Sequence, residues 1–211
     1  MTRLNILEEI ANSVTHGLGW ALSLAGAGVL IALTYSKGSP WLITSLSVYS
    51  LALVLLYTFS TLHHSIQAPR AKHVFRVLDH SSIFVLIAGT YTPFMLVVLQ
   101  SGWSYLLLSL NWLLAVLGIV FKAFFVGRFP VLSILMYLIM GWMVVVVLKP
   151  LGDQIHWEGL AWLVTGGLFY TLGIIFYSLK KVPFSHAVWH LFVLAGSIIH
   201  YFSIVYFVLP K

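Results

Sequence analysis

His186-Ala187-Val188-Trp189-His190 opens the last apolar segment of the chain. Two imidazoles four residues apart on a helix lie one turn apart on the same face. Such a pair holds one metal ion if a third ligand comes from elsewhere. Candidates stand at the end of the second apolar segment, Ser60-Thr61-Leu62-His63-His64, and at the start of the third, Asp79-His80. Three neutral imidazoles with no thiolate suit zinc with a water in the fourth position, and zinc brings the pKa of its water to about 7. Asp79 fits as a fourth ligand, as a general base for that water, or as its hydrogen-bond partner. Ser60 lies one turn below His64 and can bond the water or an oxyanion. The same constellation also fits a metal staple between the second and last segments that catalyses nothing. A lone histidine near a span end is most often an interfacial or hydrogen-bonding group. His73 and His156 read as loop residues on that ground, and His200 as a core hydrogen-bonding group.

The elements that must position these groups are apolar helices. The chain has 211 residues, of which 61% are hydrophobic and 8% charged. Mean hydropathy is +1.02. Apolar runs near or above 18 residues recur along its whole length, which predicts an all-α membrane protein, a seven-helix bundle forming one domain over residues 1–211. The spans fall at roughly 12–34, 41–63, 79–99, 103–121, 130–148, 157–178 and 185–208, each about 20 residues and long enough to cross ~30 Å of hydrocarbon. Turn chemistry marks the breaks: Ser36-Lys37-Gly38-Ser39-Pro40, Ala68-Pro69-Arg70, Ser101-Gly102, Gly127-Arg128-Phe129-Pro130, Pro150-Leu151-Gly152-Asp153 and Lys181-Val182-Pro183. Cysteine is absent, which excludes disulfides, thiolate zinc sites and a cysteine nucleophile. Residues 1–12 carry Arg3, Glu8 and Glu9, a poor signal-peptide start, so the first segment is expected to remain a span in the cytoplasmic membrane.

The net charge of +6 resides in short loops, as orientation signals and lipid-headgroup contacts rather than a nucleic-acid patch. Arg3, Arg70, Lys72, Arg76, Lys122, Arg128, Lys180 and Lys181 fall on one side, and only Lys37, Lys149 and Lys211 on the other. The positive-inside bias predicts a cytoplasmic N-terminus and an outside C-terminus. On this map Glu9, Asn12, Thr15, His16, Ser60, His64, Asp79, His186 and His190 all lie at the cytoplasmic ends of their spans.

Together these residues resemble the PAQR family. The matching stretches are Glu9-x-x-Asn12-x-x-Thr15-His16, Ser60-x-x-x-His64, Asp79 opening the third span, and His186-x-x-x-His190 opening the seventh. Asn12-Ser13-Val14-Thr15-His16-Gly17 and Leu78-Asp79-His80 are most similar to the bacterial hemolysin III branch. The resemblance covers all seven spans and implies a zinc ion on His64, His186 and His190. It further implies that Asp79 contacts the zinc-bound water, with Ser60 beside it. Glu9, Asn12 and His16 are expected to pack as polar support around that site. His63 is adjacent to His64, but the Ser60 spacing favours His64. Alkaline ceramidases, more distantly related, use a similar site to hydrolyse lipid amides.

Three functions compete. The first is a zinc-dependent hydrolase of a lipid amide or ester, serving membrane lipid homeostasis, with membrane lipids as its partners. The second is a non-enzymatic sensor or receptor of membrane state with a structural zinc. The third is a pore or transporter, which the crowding of polar groups at one membrane depth disfavours; Asn111, alone in the fourth span, reads as a helix–helix hydrogen bond. Small-residue runs at Ala25-Gly26-Ala27-Gly28 and Gly166-Gly167 fit close packing within the bundle or between protomers of a homo-oligomer.

Overall fold

The structure is a computed structural model describing residues 3–35 and 39–210. The expected turn residues Ser36, Lys37 and Gly38, and the charge at Lys211, lie outside the described residues. The regular elements are helical: α1 (Arg3–Thr34), α2 (Pro40–Ser65), α3 (Pro69–Pro93), α4 (Gly102–Phe125), α5 (Pro130–Trp142), α6 (Leu148–Ser178) and α7 (Ser185–Phe207). Three helices begin on proline at the first position, where the missing N–H costs nothing. Ser39 caps α2 by accepting from Leu42 N at 3.2 Å. Ser101 and Ser104 form a reciprocal capping box on α4.

Six helical segments among the described residues are long and apolar enough to cross a membrane. Val14, Leu106 and Ile139 expose more than half their surface, as a lipid-facing shell requires. The chain is a multi-pass integral membrane protein. α2 and α3 are the most enclosed spans; α1 packs on α2 and α4 on α3, while α7 packs against α6 and α1. Tyr49, Tyr57, Leu46 and Phe84 are fully buried between these helices.

Residues Pro130–Ser178 form 49 residues of nearly continuous helix. Drawn straight, they would be about 74 Å long, more than twice the hydrocarbon thickness. The chain instead reverses at His156, whose φ of 55° and ψ of 174° are non-helical. Trp142 Nε1 donates to Thr171 Oγ1 at 3.1 Å across the reversal, although the two are 29 residues apart. The break expected at Pro150–Asp153 is therefore found at His156. Residues Met143–Val147 are 3-10, so a new α-helix starts at Leu148 and Pro150 occupies its first turn, where proline is tolerated.

Tyr91 compensates for that irregularity. Its hydroxyl donates to Gly141 O and accepts from Val144 N, both at 2.7 Å, and so satisfies backbone groups that the change of helix type leaves over. Two helices start earlier than the expected spans, although the break at Ala68-Pro69-Arg70 falls where it was expected. α1 begins at Arg3 rather than near residue 12, and α3 at Pro69 rather than 79, ending in a π-helical turn at Phe94–Leu99. His73 is thus helical, not in a loop, and Asp79 lies ten residues into α3. Lys122, expected in a loop, sits in the last turn of α4, is 2% exposed and donates to Ser133 Oγ of α5. Asn111 Nδ2 bonds Met140 O at 3.2 Å, and His200 Nε2 bonds Leu163 O at 3.0 Å, both in the roles expected of them. Gly26 and Gly166 pack inside the chain, against Tyr201 and His200.

Candidate metal centre

The end of α2, the start of α7 and the N-terminal parts of α1 and α3 meet on one side of the bundle. His186 and His190 project from the first turns of α7. That helix is tied to α1, because Phe184 N donates to Glu8 Oε1 at 2.9 Å. His64 comes from the last turn of α2. The ligand atoms of His64, His186 and His190 lie within 4.8 Å of one another. Their ring centres are separated by 5.1, 5.1 and 4.6 Å. Imidazoles bound tetrahedrally to one zinc at 2.0–2.1 Å have ring centres about 5 Å apart.

The tautomers of two of these rings, His64 and His190, also fit a metal. His64 Nδ1 donates to Glu9 Oε2 at 2.6 Å, and Glu9 Oε1 accepts from Lys72 Nζ at 2.8 Å. His190 Nδ1 donates to Asn12 O at 3.1 Å, with Thr15 Oγ1 at the same distance. A carbonyl or carboxylate oxygen can only accept, so Nδ1 carries the proton and Nε2 keeps its lone pair. Nε2 of His64 and of His190 are buried with no hydrogen-bond partner. Ligating histidines ordinarily have this arrangement, with the far nitrogen donating to a carboxylate or carbonyl. The residues present therefore fit a zinc ion.

The remaining polar residues surround the cluster. His16 stacks on His190, ring centres 3.5 Å apart, and its Nδ1 shares a 2.6 Å hydrogen bond with Ser60 Oγ. The Asp79 carboxyl is buried beside the cluster, with an oxygen within 4.8 Å of a ligand nitrogen of His64. Asn12 acts through its backbone carbonyl, not its side chain. Glu9, Asn12, His16, Ser60, His64, Asp79, His186 and His190 are thus all brought to one place. Sequence reasoning missed Lys72, the second partner of Glu9, and gave no role to His80, which adjoins Asp79 with Nδ1 3.7 Å from Oδ2.

Two cavities converge here. An apolar cavity of about 150 Å³ runs between α3, α5, α6 and α7, lined by Ile83, Ile87, Leu138, Ile174 and Val193 among others. A polar vestibule of about 630 Å³ is lined by His63, His64, Lys72, Arg76 and His186. Asp79, His80 and Tyr177 line both.

Residues 4–201 match the family model described as haemolysin-III related. The chain belongs to that family. It is 46% identical over 212 residues to Hemolysin-3 of Bacillus cereus, covering 100% of this chain and 97% of the relative. It is also 46% identical over 202 residues to the Hemolysin-3 homolog of Bacillus subtilis (strain 168), covering 96% and 95%. A more distant relative is the human Monocyte to macrophage differentiation factor, 28% identical over 210 residues, covering 93% and 83%. The resemblance read from the four motifs is therefore correct at the level of the family. In this haemolysin-III related chain, the polar residues that carried the resemblance are the ones that line the junction of the two cavities or support its histidines.

Proposed function

We propose that this chain is a zinc-dependent hydrolase of a lipid amide or ester, acting in the cytoplasmic membrane and serving membrane lipid homeostasis. One observation carries the reading: three imidazoles matched to a zinc ion, next to a buried carboxyl, stand where an apolar cavity meets a polar vestibule. A lipid has that same division, with its scissile bond at the boundary between acyl chain and headgroup.

His64, His186 and His190 hold the metal. Zinc there supplies Lewis-acid polarisation of a carbonyl and hydroxide at neutral pH. The apolar cavity receives an acyl chain and keeps water from it. The vestibule admits water and receives the polar part of the lipid. Asp79 faces both spaces, so its carboxyl can take a proton and return it to the leaving amine or alcohol. Ser60 holds His16 in register, and Glu9 fixes the tautomer of His64.

The topology belongs to the same proposal. The reversal at His156 turns Pro130–Ser178 into two crossings, which makes seven spans in one domain. The excess of Lys and Arg beside the centre puts the N-terminus in the cytoplasm and the C-terminus outside.

The test is zinc content of detergent-purified protein, with His186→Ala/His190→Ala beside wild type, followed by lipid-amidase assay of Asp79→Asn. Zinc retained and turnover lost in Asp79→Asn is the expected result. Zinc absent from wild type handled without chelators, or full turnover in Asp79→Asn, sinks the hydrolase. A second reading, a membrane-state sensor with structural zinc, is favoured by the fact that the ion would cross-link α2 to α7. In that case Asp79→Asn leaves function intact, while His186→Ala loses both stability and function.

A further inference from the structure

The polar vestibule gathers cations from two walls beside the metal centre. Lys72 and Arg76 come from α3, and Lys180 from the segment between α6 and α7. The carboxylates nearby are already engaged. Glu9 holds Lys72 and His64. Glu8 accepts from Phe184 N. Asp79 is buried where the vestibule meets the apolar cavity. Among the described residues, Arg76 and Lys180 form no ion pair with a carboxylate, and both are exposed. Two such cations on one concave surface repel each other and favour an anion that neutralises them.

The Arg76 guanidinium has a built position. It lies against Gly127 in the turn after α4, where φ is +79° and a Cβ would come within 2.7 Å of Nη2. Glycine serves there both the turn and the guanidinium. Arg76 precedes Asp79 by three residues on α3, so both leave the same face of the helix, ~4.5 Å apart along its axis. In a phospholipid only a few bonds separate the phosphate from the nearest acyl carbonyl, which matches that short spacing. A guanidinium also presents its N–H groups in a planar fork that fits phosphate oxygens.

We propose that the vestibule selects a lipid with an anionic phosphate headgroup, bound by Arg76 and Lys180, while its acyl chain occupies the apolar cavity. This names the substrate class of the hydrolase described above and rests on that reading for placing a lipid at the site. Arg76 counts toward the positive-inside bias, and its place on the vestibule wall gives it a second role. An uncharged headgroup would leave both cations unneutralised, so the headgroup charge discriminates between lipids that share the same chains.

The experiment measures saturation binding of two radiolabelled lipids to full-length, detergent-purified protein. Both carry ether-linked octyl chains on glycerol, which the protein cannot hydrolyse; one ends in phosphate and the other in a hydroxyl. Wild type is expected to bind the phosphate lipid about 10-fold more tightly, the worth of a charge-assisted hydrogen bond. Arg76→Gln and Lys180→Gln are each expected to lose most of that preference and to keep the wild-type affinity for the hydroxyl lipid, which shows that they fold. Arg70→Gln, an exposed cation of α3 outside the vestibule lining, keeps the preference. Equal affinity for the two lipids in wild type overturns the proposal. So does an equal loss in Arg70→Gln, which would mean a general attraction of the cytoplasmic face for anions. Inorganic phosphate that displaces the phosphate lipid at equal concentration overturns the lipid as the source of the anion and leaves a free-phosphate site. None of these results bears on the hydrolase, which stands or falls on zinc content and on turnover in Asp79→Asn.

Discussion

Glu9 of α1 joins His64 of α2 to Lys72 of α3: one carboxylate oxygen lies 2.6 Å from the imidazole Nδ1 and the other 2.8 Å from the ammonium. The carboxylate thus decides which nitrogen of His64 faces the proposed metal. Glu9→Gln retains the shape but removes the charge and half of the accepting capacity. Zinc affinity is expected to fall by about 10- to 100-fold, the usual cost of losing such a partner. Competition against a chromophoric chelator measures it, and an unchanged affinity would show that His64 needs no orienting group.

An ion held by residues from two helices stabilises the folded state by mass action. At a thousand times its Kd the gain is about 4 kcal/mol. Chelator added to the zinc-loaded protein is expected to lower the midpoint of thermal unfolding in detergent, and His186→Ala/His190→Ala is expected to start from the lower midpoint and not respond. A midpoint indifferent to chelator in the wild type would contradict any stapling role.

Gly19 of α1 lies against the ring of Tyr57, and a Cβ there would overlap it. The same tyrosine packs edge-on to His16 at 5.1 Å and donates to Ser197 of α7 at 2.8 Å. Gly19→Ala is expected to push the ring aside and destabilise the protein by about 1–3 kcal/mol, as overpacking usually does. The loss should also weaken zinc retention, through His16 and His190. Equilibrium unfolding together with zinc content separates the two effects.

Tyr91→Phe tests the compensation for the 3-10 stretch. It removes a hydroxyl that serves Gly141 O and Val144 N, leaving two backbone groups without that partner at membrane depth. A cost of about 1–3 kcal/mol is expected. Phenylalanine fits the space, so any loss reports the hydrogen bonds. A fully stable variant would mean that water or a neighbouring group takes over.

Much of this was legible in residue order. Apolar runs of span length located the helices, and i,i+4 spacing put His186 beside His190 and Ser60 one turn from His64. What was not legible depends on contacts between distant segments. Proline and glycine at 150–152 signal a turn, yet Pro150 falls in the first turn of a restarted helix, so the chain bends at His156 instead. Charged residues at 70–76 look like a loop, but nothing in them opposes helix and Pro69 starts one. Lys122 counted as a loop cation because its partner, Ser133, lies eleven residues on, across a turn. That Asn12 acts by its carbonyl could not be read from a side chain at all.

His190 takes its hydrogen-bond acceptor from Asn12, 178 residues earlier in the chain. During synthesis the acceptor is made first, and the imidazole it orients follows only after α1 to α6. Until α7 inserts, His64 has neither of the histidines with which it forms the cluster. Metal loading would therefore wait for α7. Chains truncated before α7 would be unable to capture the ion, so its uptake would act as a checkpoint on biogenesis.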